Sequence, residues 1–141
     1  MSGRILALLL ASLAPLVCQA PLQPPPPELL TLPLQCPGGD CPLLQGAPQT
    51  AGMRSGFVRL MPGKSVGWHS TKQNEESLVV LRGQGAVVIQ GRPARNFVAP
   101  HFVYVPPDSR HNVVNTGQGV LEYVYIVAPV VKAGKEKSEE R

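Results

Sequence analysis

Two stretches of the chain concentrate the side chains able to do chemistry. Residues 63–83 read GKSVGWHSTKQNEESLVVLRG, and residues 106–115 read PPDSRHNVVN. Between them they hold His69 and His111, two of the three histidines, and the adjacent carboxylates Glu75 and Glu76. Imidazole nitrogens and carboxylate oxygens are common ligands of borderline divalent metals. In an extended strand, period-two alternation sets Glu76, Leu78 and Val80 on one face and Glu75, Ser77 and Val79 on the other. A lone carboxylate turned toward an apolar interior is costly unless it is paired or metal-bound. Glu76 is therefore a candidate ligand, and Glu75 faces water. No nucleophile has a partner to activate it, and no general base stands apart from these ligands.

The surrounding chain must position these groups. With 16 prolines and 14 glycines among 141 residues and aromatics at 5%, the composition excludes a helical bundle and suits one small, turn-rich β domain. Short runs of β-branched and aromatic residues occur at 57–61, 78–81, 86–89, 102–105 and 120–127, separated by Gly, Pro and Asn turns. No window of a dozen residues shows a helical stripe. Closely spaced strands of this kind imply an antiparallel sandwich or barrel, here over residues 52–130. So small a core suggests pairing with a second copy, and a homodimer is expected. The net charge of +4 is spread along the chain without a basic stripe interleaved with aromatics, which argues against a nucleic-acid partner.

The flanks read differently. Residues 1–20 place Arg4 before an apolar run from Ile5 to Val17 and end in Cys18-Gln19-Ala20, the layout of a secretory signal peptide. A retained membrane anchor and a lipid-modified Cys18 are the competing readings. With the signal removed, no membrane association is expected and the location is periplasmic or secreted. Cleavage also leaves two of the three cysteines, Cys36 and Cys41, around a Pro-Gly-Gly turn. In an exported chain they read as a small disulfide loop, with half a zinc site or a redox pair as alternatives. Residues 21–51 form a Pro-rich linker, including the run Pro24 to Pro27; it acts as a semi-rigid spacer or, alternatively, as a docking motif for a proline-binding partner. Residues 131–141 read as a charged, solvated tail.

The two central stretches resemble the motifs of the cupin superfamily. Its first motif runs G-x5-H-x-H-x(3,4)-E-x6-G, and Gly63, His69, Thr71, Glu76 and Gly83 stand at those places, with Thr71 at the second histidine. Its second motif runs G-x5-P-x-G-x2-H-x3-N. Pro106, Asp108, His111 and Asn115 occupy the last four places, and Pro100 and Asp108 replace its glycines. The gap from Gln84 to Ala99 is the length of one hairpin. The resemblance implies an all-β fold, a double-stranded β-helix or jelly-roll cupin barrel. It further implies His69, Glu76 and His111 as ligands of a divalent metal ion. Iron, manganese and zinc all suit such a set, and a metal-free barrel lined by the two histidines is the other reading. Thr71 is placed beside the ion, holding a metal-bound water, and Gln73 is a candidate compensating oxygen donor.

Further residues are expected around the mouth. Tyr104, Tyr123 and Tyr125 are candidates to offer a phenol to a ligand, with Tyr123 and Tyr125 on one face. Trp68, next to His69, is expected on the opposite face, in the core or in dimer packing, and His101 at the surface. Among Arg82, Arg92, Arg95 and Arg110, none stands out as an anchor for an anion. Two functions compete at this level. One is an exported metal-binding cupin acting on a small organic molecule, as an oxygenase, isomerase or lyase. The other is a non-catalytic module for a small ligand or carbohydrate.

Overall fold

The structure, a computed structural model, describes residues 28–130. The expected signal segment, the first part of the Pro-rich segment and the charged tail lie outside the described residues. The described chain is all β, with eight strands: β1 Cys41–Gln45, β2 Arg54–Leu60, β3 Asn74–Arg82, β4 Gln84–Ile89, β5 Arg95–Val98, β6 His101–Val105, β7 His111–Asn115 and β8 Leu121–Pro129. They form a five-stranded sheet in the order β1-β2-β8-β3-β6 and a three-stranded sheet in the order β5-β4-β7, all antiparallel. Among these residues no helix is long and apolar enough to cross a membrane.

The core lies between the two sheets. Val58 and Leu60 of β2, Leu78 and Val80 of β3, and Leu121 and Tyr123 of β8 face Val87, Phe97 and Val113 of the smaller sheet. Strand β3 turns alternate residues inward, as the pattern at residues 75–80 predicts: Glu76, Leu78 and Val80 are buried while Glu75, Ser77 and Val79 are half-buried. The strands are longer than the apolar runs that announce them. Two, β1 and β7, have no counterpart among the expected runs, and β5 is expected only as the return arm of a hairpin. β5 and β7 carry Arg, Asn and His among few apolar residues, and ladder pairing with β4 holds them extended. β1 lies inside the stretch expected to be linker; it pairs with β2, and the sheet therefore begins well before residue 52. The Cys36–Cys41 disulfide closes the turn that leads into it, with Cα atoms 5.6 Å apart.

The chain passes from the larger to the smaller sheet between β3 and β4, at Gly83. Its φ is +85°, and a Cβ there would approach the Val120 carbonyl oxygen to 2.5 Å. Only glycine meets both conditions without strain. The β4–β5 hairpin that follows, with Gln84 opposite Val98, is the single hairpin expected between the two motifs.

Asn115, the last residue of β7, ties the layers together. Its side-chain amide donates to the carbonyls of Leu60 and Gly119, each at 2.8 Å, and its Oδ1 accepts from Gly117 N–H at 2.8 Å. The residue is 1% exposed, so these groups have no water to turn to. Replacement by alanine is expected to lower the unfolding free energy by about 2–4 kcal/mol, because buried partners are left unpaired. Denaturant unfolding of Asn115→Ala measures it.

Candidate metal centre

Three elements deliver the site. Glu76 sits on β3, which is flanked by β8 and β6; its backbone partners are Val127 and Val105, so its position is fixed from both sides. His111 opens β7 in the opposite sheet, paired with Ile89 of β4. His69 lies in the connection between β2 and β3, which runs as an extra short strand along the free edge of β7. There His69 N–H donates to the His111 carbonyl at 3.0 Å, and His111 N–H donates back at 2.8 Å. This reciprocal pairing sets the two imidazoles side by side, ring centroids 4.3 Å apart.

The two motif loops are clamped to each other. Asp108 N–H donates to the Lys72 carbonyl at 2.6 Å. Asp108 holds a φ of +56°, the left-handed region, which explains why the motif prefers glycine there and why aspartate is tolerated. On the other side, Thr71 Oγ1 donates to the Asn74 carbonyl at 3.0 Å, and the Asn74 amide donates back to the Thr71 carbonyl at 2.9 Å. Thr71 therefore shapes the turn that launches β3.

Ligand-type atoms of His69, Glu76 and His111 all lie within 4.8 Å of one another. Glu76 Oε2 is 3.2 Å from His111 Nε2 and 3.9 Å from His69 Nε2. The other nitrogen of each ring faces a backbone carbonyl: His69 Nδ1 lies 3.0 Å from Gly67 O, and His111 Nδ1 lies 3.0 Å from Ser109 O. A carbonyl only accepts, so Nδ1 carries the hydrogen in both rings. In the neutral rings the Nε2 lone pairs then point at the carboxylate. Three acceptors converge with no donor among them. Glu76 Oε2 and His111 Nε2 are buried without a partner of hydrogen-bond geometry, despite their close approach. A shared cation satisfies all three at once, so the donor set fits a divalent metal.

The site opens on one side. His111 is wholly enclosed, while the His69 side chain is 41% exposed at the edge of a cavity of about 540 Å³. Thr71, Ser70, Val66, Tyr123, Tyr125 and Val127 line that cavity beside Glu76. Burial pushes the Tyr123 phenol well above its ordinary range, with the charges of Glu76 and Asp40 adding to it, so Tyr123 keeps its proton. A Cβ at Gly56 would run into the Tyr125 ring; this glycine makes room for the ring against the cavity floor.

Not every expected residue belongs here. Tyr104 is on the outer face of the sheet, half-exposed, donating to Glu75 Oε2 at 3.2 Å; β6 alternates it away from the interior. Gln73 is exposed in the turn before β3 and lines no part of the cavity. Trp68 is 47% exposed and is not in the core, because the short strand it occupies sits at a sheet edge; Arg110 lies 5.9 Å above its ring. His101 is exposed, as expected. Val66, Asp40 and Arg54, which sequence reasoning passed over, do line the cavity. Only Arg54 had a legible signal, since it continues the even-numbered inner face of Gly56, Val58 and Leu60.

A family model described as "Cupin_2: Cupin domain" matches residues 56–127. The chain belongs to the cupin family. No curated protein matches this cupin. Among solved structures it is similar to a Cupin 2 conserved barrel domain protein from Salinispora arenicola, 27% identical over 62% of this chain and 72% of that one, with a TM-score of 0.54. It is also similar to a cupin-like protein from Thermotoga maritima, with 22% identity, coverage of 69% and 78%, and a TM-score of 0.57. A Klebsiella pneumoniae protein with a double-stranded beta-helix domain gives 17% identity, coverage of 72% and 91%, and a TM-score of 0.58. These likenesses agree with the two-sheet barrel expected from the motifs.

The metal-free cupin carries a pH signature. Burial lowers the His111 pKa, but the Glu76 carboxylate and the Ser109 carbonyl outweigh it, and the net shift is upward from 6.5. The His111–Glu76 attraction is therefore fully present below the unfolded-state value and is lost as pH rises through the folded-state one. Metal must displace that proton. Affinity for zinc is expected to rise with pH, by up to about tenfold per unit while His111 remains protonated, and then to level off. Zinc titrations at a series of pH values measure the slope.

Proposed function

We propose that this cupin is an exported protein whose His69, Glu76 and His111 hold a divalent metal, iron, manganese or zinc, at the floor of a cavity that receives a small organic molecule. The observation that carries this reading is the convergence of three ligand-type atoms within 4.8 Å of one another, two of them, Glu76 Oε2 and His111 Nε2, buried without a hydrogen-bond partner. A bound ion would act as a Lewis acid polarising an oxygen of the ligand. The chain's own groups do the rest. The Gly67 and Ser109 carbonyls keep both imidazoles in the tautomer that presents Nε2. Tyr123 holds its proton at the cavity wall and is placed to donate to a ligand oxygen, and Tyr125, Val58 and Val127 supply apolar contact. Export is supported by the signal-like residues 1–20 and by the Cys36–Cys41 disulfide, a bond that persists in oxidising compartments. An oxygenase, isomerase or lyase activity is consistent with this arrangement.

One observation favours a second reading, a metal-free binding module. A protonated His111 satisfies Glu76 by itself, and Thr71 stands where the motif has its second histidine. Elemental analysis separates the two. Protein purified without added metal or a histidine tag is expected to hold near-stoichiometric iron, manganese or zinc. His69→Ala, at a half-exposed position where folding is spared, is expected to weaken metal binding by about 100-fold or more. Chelation is expected to remove about 2.7 kcal/mol of stability measured at metal 100-fold above its dissociation constant. No bound metal, together with an unchanged melting temperature on chelation, establishes the metal-free reading instead.

A further inference from the structure

The cavity wall carries an unused cation. Arg54 and Glu76 both lie opposite Val127 of β8, Arg54 from β2 and Glu76 from β3. Residues in register across a sheet share a face. Arg54 and Glu76 therefore stand on one row of the inner face, two strand spacings or roughly 10 Å apart at the backbone. The remaining inner residues of β2 are Gly56, Val58 and Leu60, so Arg54 is the charged end of an otherwise core-facing series. Both Arg54 and Glu76 line the same cavity.

The two arginines of β2 differ in how they are satisfied. Arg59, on the outer face, is paired with Glu122 at 2.9 Å. Arg54 has no carboxylate within 4 Å and no side-chain hydrogen bond among the described residues. Asp40, the other acid on the cavity wall, is engaged with the backbone, accepting from Arg59 N–H at 2.9 Å. Between Arg54 and Glu76 the wall is apolar, made by Val127, Tyr125 and Val58. Arg54 is solvent-exposed at the cavity's edge, its alkyl chain beside Gly46, and a guanidinium with five donors at such an edge matches a carboxylate in bidentate fashion.

We infer that the ligand is a small organic acid with two separated polar ends, one engaging the metal at His69, Glu76 and His111 and the other a carboxylate paired with Arg54. This rests on the metal reading above and names its substrate class. The cavity volume of about 540 Å³ suits a molecule of that size. The short span across Val127 between the two charged ends favours a chain of a few methylenes.

Calorimetry on the zinc-loaded protein tests the inference with two probes that share an α-hydroxy acid head. 2-Hydroxyglutarate adds a distal carboxylate, and lactate lacks it. The wild type is expected to prefer 2-hydroxyglutarate by tenfold or more. Arg54→Gln is expected to abolish that preference while leaving zinc affinity and lactate binding unchanged, and Arg54→Lys is expected to retain part of it. Normal zinc binding with no preference in the wild type, or with a preference that survives Arg54→Gln, overturns the assignment of Arg54 and leaves the metal reading standing. A wild type that binds no zinc overturns both.

Discussion

The structure is organised around one electrostatic constraint: a buried carboxylate meets two imidazole lone pairs in the gap between two sheets. Glu76 cannot retreat, because its backbone is paired on both sides in the interior of the larger sheet. His111 cannot rotate away without giving up the Ser109 carbonyl, and it is enclosed completely. Something positive must lie among these atoms, whether an ion or the proton on His111. The apolar layers at Leu78, Val80 and Leu121 hold the sheets at the separation that keeps the three groups within reach of one another. Packing thus enforces a polar arrangement that, left without its counter-charge, packing alone would disfavour.

The loops around the site do structural work that is easily mistaken for chemistry. Thr71 occupies the place of a ligand, but its hydroxyl proton is given to Asn74. Its remaining capacity is as an acceptor, which suits it to receive a hydrogen bond from a water or ligand at the site. Asp108 sits in the second motif loop, and what matters there is its backbone: a left-handed residue whose N–H pins that loop to the Lys72 carbonyl. Asn115 lies at the far end of β7 from His111 and closes the barrel end opposite the cavity.

Much of this was legible in the sequence because it rests on short-range rules. Period-two alternation identified the inward face of β3, and motif spacing singled out the three residues that converge. The failures have specific causes. Strand β7 is defined by what it pairs with, and β5 is legible only through the hairpin-length gap between the motifs, since its own composition reads as loop. β1 is short and lies in a Pro-rich stretch; its pairing with β2 is a long-range event that local propensity does not encode. Residue type alone suggests Tyr104 for the mouth, whereas alternation from the buried Val105 puts it on the outer face. Arg54 lies outside the apolar run, which begins only at Phe57, although counting back by twos from Val58 reaches it.

The replacement of a fourth ligand by Thr71 has a consequence for what the cavity can hold. A metal bound by two imidazoles and one carboxylate keeps more of its coordination positions for the ligand than one bound by four protein groups. It also keeps more of its positive charge, since a single carboxylate offsets only half of a divalent ion. With such an ion bound, that residual charge and Arg54 at the other end of the same wall would make the cavity electropositive at both ends, with Val127 between them. Asp40 is the counterweight on the rim, and its carboxylate is tied to the Arg59 backbone through a strap that the Cys36–Cys41 bond closes. A threonine at the place of the motif's second histidine and an arginine without an ion-pair partner among the described residues therefore point the same way. An ion held by His69, Glu76 and His111 would be more open than one held by four protein ligands, with Arg54 as a second contact along the same wall.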